Sequence, residues 1–174
     1  MEVVTIDIEN VKSWLLRYSE AHRSCELLKE RLDLVEVAAY NTKSATPDGM
    51  PHGGADPVDT IGRTVARLDS LRAKLAAAQA EAATVYAEIE TAIERISGKK
   101  STEKQALLQL RYLDLLRISE INGVLFGGER DFIEREDSYL RRTTYLQTDA
   151  LKDLSIILDA QRVAETATQA DEKI

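Results

Sequence analysis

Proline is scarce and confined: Pro47, Pro51 and Pro57 all fall in TPDGMPHGGADPVDT, residues 46–60, and nowhere else. The rest of the chain is therefore free to form long uninterrupted helices. Cysteine occurs once, so a disulfide within the chain is excluded. Cys25 sits at helical spacing from Leu28 and Leu32 and reads as a small core residue. The two histidines, His22 and His52, have no cysteine near them, which leaves a zinc site without ligands; no metal and no cofactor is expected. No apolar run reaches the ~18–20 residues of a membrane span. The opening MEVVTIDIEN has neither a basic nor an apolar leader segment, so the expected location is the cytoplasm, away from membranes. Positive charge is in deficit: the net charge of -7 opposes indiscriminate binding to phosphates, and any nucleic-acid contact must be local.

What is present is helix-forming. Aromatics make up 5% and charged residues 30% of the chain, a balance that favours long amphipathic helices over a sandwich or barrel. Ile8, Val11, Leu15, Tyr18, Cys25, Leu28, Leu32 and Val35 recur at helical intervals, predicting a first helix over residues 8–39. The proline-bearing stretch breaks it. Asp56-Pro57-Val58-Asp59 then supplies an N-cap carboxylate, a proline at the first helical position and an acid in the first turn. The second helix carries Ile61, Val65, Leu68, Leu75, Val85, Ile89, Ile93 and Ile96 to a stop at Ser97-Gly98. Near-heptad spacing predicts an antiparallel coiled-coil-like hairpin. The Ala-rich AKLAAAQAEAA, residues 73–83, suits close approach of another helix, or simply reflects alanine's helix propensity.

SGKKSTEK, residues 97–104, resembles a phosphate loop only superficially: Ile93 stands where the first glycine is required, and a second lysine precedes Ser101. Thr102 with Gln105 fits a capping box opening a third helix. ISEINGVLF forms a fourth, ended by Gly127-Gly128, and residues 138–158 a fifth. Three helices with tight links are the pattern of a helix-turn-helix unit. The expected fold is all-α: a helical hairpin over residues 1–98 with a Pro/Gly loop at 41–56, a helix-turn-helix domain over 99–159, and a polar tail from 160 to 174 that frays.

ALLQLRYLDLLRISEI, followed by a helix ending in DALKDL, resembles the C-terminal domain of bacterial sigma factors. Together with DGMPHGGADP, it resembles phage and prophage sigma-like regulators related to the ArpU and RinA late-gene transcription regulators. The resemblance spans roughly residues 48–154. It implies that Arg111-Tyr112-Leu113 ends the first C-terminal helix, that Glu120-Ile121 anchors the scaffold helix, and that residues from Ser138 onward form the recognition helix. Thr143, Leu146, Ala150 and Leu154 would face the core; Arg141, Arg142, Thr144, Tyr145 and Thr148 would face DNA. This chain departs from the pattern in having Ile118 where tryptophan is usual, Asn122 where a small alanine follows the anchor, and GERDFIERED, residues 128–137, in place of a turn of ~3–4 residues. The extra residues either extend the recognition helix backwards or form a separate loop.

Independently of resemblance, no acid interrupts residues 138–148, and arginine there suits guanine or phosphate. Lys99, Lys100 and Lys104 form a second basic patch, placed either to touch the DNA backbone or to complement the end of the second helix. Met50, Pro51, His52, Gly53 and Gly54 form a candidate partner-contact loop. Carboxylates are scattered over solvated faces without a nucleophile or base at a suggestive spacing, so no enzyme is expected. The leading expectation is a phage-type DNA-binding transcriptional regulator acting on double-stranded promoter DNA with host RNA polymerase, and self-associating as a homodimer. The alternatives are a helical protein-binding adaptor with a degenerate helix-turn-helix, and a DNA-packaging subunit similar to small terminases.

Overall fold

The computed structural model describes residues 7–41 and 57–171, and every regular element among them is helical. In chain order these are α1 (Ile8–Asn41), α2 (Pro57–Glu94), α3 (Ser101–Leu108), a π-helical turn (Gln109–Leu113), α4 (Ile118–Phe126) and α5 (Glu136–Asp171). The Asp7 carbonyl accepts the amides of Asn10 and Val11 at 2.9 and 3.2 Å and so starts α1. Pro57 occupies the first position of α2, where its missing amide costs nothing; its expected cap, Asp56, lies outside the described residues, as does the candidate loop Met50, Pro51, His52, Gly53 and Gly54.

The link between α2 and α3 corrects the expected capping box. Gly98 and Lys100 both adopt left-handed backbone, at φ 98 and 61, and no side chain caps α3. Gln105 instead reaches back: its Nε2 donates to the carbonyls of Glu94 at 3.0 Å and Ile96 at 2.8 Å, satisfying the orphan acceptors at the end of α2. Gln105→Ala is expected to lower stability by about 1–2 kcal/mol, readable in urea denaturation, because two carbonyls lose their donors. Thr102→Ala is expected to change it by less than about 0.5 kcal/mol.

The chain divides into two compact units, and the boundary lies inside α1 and α2 rather than at Gly98. One unit takes the described residues up to Ser19 and from Thr84 onward; the other takes Glu20–Ala83. The reason lies in the core of the first unit. Val11 and Leu15 from α1, Val85, Ile89, Ala92 and Ile93 from the end of α2, and Ile96 just past it are buried in one cluster with Leu107, Leu108, Ile121, Leu146, Ala150, Leu151 and Leu154. The helix ends thus belong to the three-helix unit's core. Arg17 donates to Glu88 at 3.3 Å, and the Tyr18 and Tyr86 rings meet edge-on at 5.3 Å.

In the unit of residues 20–83, Ala21, Cys25, Leu28, Leu32, Val35 and Ala39 of α1 are half-buried at alternating intervals of four and three. Thr64, Leu68, Leu71, Leu75, Ala78 and Ala82 of α2 follow the same rhythm, with Leu71 and Ala82 buried. Arg72 of α2 donates to Glu36 of α1 at 2.8 Å. Cys25 thus lies on an inward stripe but is half-buried, not in a closed core. His22 is a helix-face residue, 3.7 Å from Glu26.

Candidate nucleic-acid interface

The roll of α5 is set by what it buries. Thr143, Leu146, Ala150 and Leu154 are buried at intervals of three or four residues, with Leu151 buried beside Ala150, where α3 and α4 pack. Arg141, Arg142, Thr144, Tyr145 and Thr148 are consequently all exposed. α5 begins at Glu136 and continues to Asp171, so residues 160–171 are not a frayed tail; the alanine-rich AQRVAETATQA has the propensity to propagate a helix already nucleated.

A buried polar pair pins α4 to α5. The Thr143 hydroxyl lies 2.9 Å from Asn122 Oδ1 and 3.0 Å from the Tyr139 carbonyl. Asn122, a departure from the sigma-like pattern, is therefore matched by Thr143 rather than left orphaned. Glu120 closes the start of α4 by accepting the Arg117 amide at 2.6 Å. Ahead of it, the π-helical turn delivers Arg111 to donate to the Leu116 carbonyl at 2.8 Å, and Tyr112 to accept from Gln147 of α5 at 3.2 Å.

The extra residues before α5 form a run of turns. Glu129, Phe132, Arg135 and Ser138 amides donate to carbonyls three residues back, at 2.9–3.3 Å. Phe126 and Phe132 lie 5.3 and 5.7 Å from the Tyr139 ring, and the Tyr139 hydroxyl donates to Asp131 at 2.8 Å. That hydrogen bond holds the Asp131 carboxyl below the usual carboxylate range, with Arg135 adding to the effect, and together with burial pushes the Tyr139 phenol above its ordinary value against the opposing charge of Arg135. A Cβ on Gly127 would collide with the Gly123 carbonyl oxygen, so only glycine fits this exit from α4.

The two arginines are not equivalent. Arg142 lies over the Phe126 ring at 4.5 Å and faces Glu103 at 3.9 Å. Arg141 has no ion pair among the described residues, and Tyr145, one turn further on, is 76% exposed. Thr144 and Thr148 donate their hydroxyl protons to the carbonyls of Leu140 and Thr144, at 3.0 and 3.1 Å. Toward a phosphate, which only accepts, these two threonines have no proton left to offer; they remain acceptors for a base amino group.

The second basic patch loses a member. Lys99 and Lys100 are exposed, but Lys104 is buried and donates to Asp149 at 2.7 Å and Asp153 at 2.6 Å. Its ammonium pKa is raised, first by the bond to Asp149 and then by that to Asp153. Neither Phe126 nor Glu103 as partners of Arg142 was legible in the chain, since nothing local links residues so far apart.

Among the described residues no cluster of His, Cys, Asp or Glu is arranged to hold a metal ion, and no helix is long and apolar enough to cross a membrane. Compared with protein-family models, curated proteins and solved structures, the chain matches none.

Proposed function

We propose that this chain is a DNA-binding transcriptional regulator of the sigma-like kind, with α5 as its recognition helix and RNA polymerase as the implied protein partner. The observation that carries this reading is the acid-free run of α5 from Ser138 to Thr148, where Arg141 and Tyr145 stand exposed beside a buried stripe. Three acids near this run face cations of the fold, Asp149 and Asp153 toward Lys104 and Glu103 toward Arg142, while Glu136 and Asp137 at the start of α5 stay exposed. The Phe126 ring and Glu103 favour Arg142 as a brace and leave Arg141 as the principal contact. Lys99 and Lys100 are free to touch the backbone. In this reading residues 20–41 and 57–83 form an antiparallel helical hairpin, supported by the Arg72–Glu36 pair and the matching burial rhythms.

Selection from random duplexes, with and without RNA polymerase, tests the reading. The expected result is an enriched sequence, with Arg141→Glu lowering affinity at least about tenfold while helix content stays intact. Failure to select any sequence under either condition sinks it. A protein-binding adaptor is the second reading, favoured by the net charge of -7 and by the engagement of Arg142 within the fold. It predicts that Arg141→Glu leaves function unchanged.

A further inference from the structure

The side of α1 turned away from its half-buried stripe carries a pattern that the DNA reading does not use. Leu27 and Leu34, seven residues apart and therefore on one face, are 57% and 71% exposed. Between them on the same side stand Glu30 and Arg31, both exposed and neither with an ion pair or side-chain hydrogen bond among the described residues. The order is Leu, Glu, Arg, Leu, symmetric in position about the midpoint between residues 30 and 31 and opposite in charge across it. A two-fold interface requires that kind of self-complementarity, because each residue must meet its counterpart's opposite number.

We propose that α1 pairs with α1 of a second copy of this chain, antiparallel, about a two-fold axis passing between Glu30 and Arg31. Leu27 then packs against the partner's Leu34, and Glu30 meets the partner's Arg31, each contact occurring twice. Beyond them Arg23 falls opposite the partner's Ala38 and Ser24 opposite the partner's Val37, so no like charges are opposed. The parallel alternative in register sets Glu30 on the partner's Glu30 and Arg31 on the partner's Arg31, stacking like charges along the seam. The unit itself gives a reason for a partner: among its described residues only Leu71 and Ala82 are buried, and none of the described residues covers the outer leucines of α1. This pairing stands whether or not α5 binds DNA.

Sedimentation of the full chain across a concentration series tests it. The wild-type chain is expected to reach a dimer at tens of micromolar. Glu30→Arg and Arg31→Glu should each weaken dimerisation on the order of tenfold, since each breaks two exposed pairs and creates like-charge opposition. The double variant Glu30→Arg/Arg31→Glu restores opposite charges across the axis and should recover the wild-type constant. A chain that stays monomeric, or single variants that dimerise as well as wild type, overturns the proposal. Orientation is read separately in a Cys25→Ser background. A mixture of Leu27→Cys and Leu34→Cys chains should form a disulfide-linked heterodimer, whereas self-linked Leu27→Cys chains as the main product reject the antiparallel pairing. Should a charge variant fail to fold, as seen by loss of helix content, the cysteine mixture still decides.

Discussion

Replacing Asp149 and Asp153 together by asparagine is expected to lower the unfolding free energy by about 2–3 kcal/mol at pH 7. Lys104 is 6% exposed and its ammonium touches both carboxylates. With both gone, the charge is left desolvated and without a counter-ion, a loss of about 3–5 kcal/mol where a fully buried pair is broken. The carboxylates' side chains are 43% and 32% exposed, so solvent screens part of their attraction and brings the figure down. Lys104→Met should cost less, about 1–2 kcal/mol, because the two aspartates on α5 can turn toward water while the methionine keeps the apolar packing. The asymmetry is the diagnostic. A surface ion pair loses the same small amount from either side, whereas a buried ammonium makes the acids the costlier loss. The pH dependence has a definite sign: the folded pKa of Lys104 is raised, so its contribution is fully present below the ordinary lysine value of about 10.4 and is lost as pH rises through the folded value. The gap between wild type and Lys104→Met should therefore persist from neutral pH to about 10 and close above it, as measured by urea unfolding at each pH.

Lys104 also shows where sequence reading stops. In SGKKSTEK three lysines look alike, yet only the third falls on the inward face of α3 opposite two aspartates some fifty positions away. Nothing local separates it from Lys99 and Lys100. Gln105 misleads in the same way: its spacing from Thr102 suits a capping box, but the left-handed turn at Gly98 and Lys100 brings the end of α2 within its reach. By contrast, features fixed by periodicity or by backbone chemistry were readable. Pro57 starts α2, the left-handed Gly98 lies just past its end, and Leu146, Ala150 and Leu154 turn inward as their four-residue spacing requires, joined by Thr143, which the resemblance placed there. α5 runs past Leu158, where rising polarity points to an end, because helix propensity in that segment stays high. The division between units was hidden because it follows which residues share a core, and both ends of one helix can belong to different cores without any break in sequence.

Ile121→Ala should produce the other large loss, about 3 kcal/mol, equivalent to a fall in melting temperature of roughly 6–12 °C for a chain of this size. α4 has nine residues, too few to persist as a helix without tertiary support. Its hold on the rest of the unit comes from Ile121 and Phe126, both buried, and from the Asn122–Thr143 pair. Ile121 is fully buried, so truncation removes its packing and leaves a cavity that a short helix between a π-helical turn and the glycines cannot easily close. Val124→Ala, on the exposed side of the same helix, is the control and should stay within about 0.5 kcal/mol of wild type. The consequence reaches α5, because α4 ends in the ring under Arg142. Loosening α4 should lower hydrogen-exchange protection at Asn122 and Phe126 before that at Leu151 and Leu154, and should free the Arg142 guanidinium, seen as a narrowed side-chain resonance. Unchanged exchange in α4 with a global loss of stability would mean that α4 and α5 open together, and that Arg142 is held by the whole core rather than by the docking of α4.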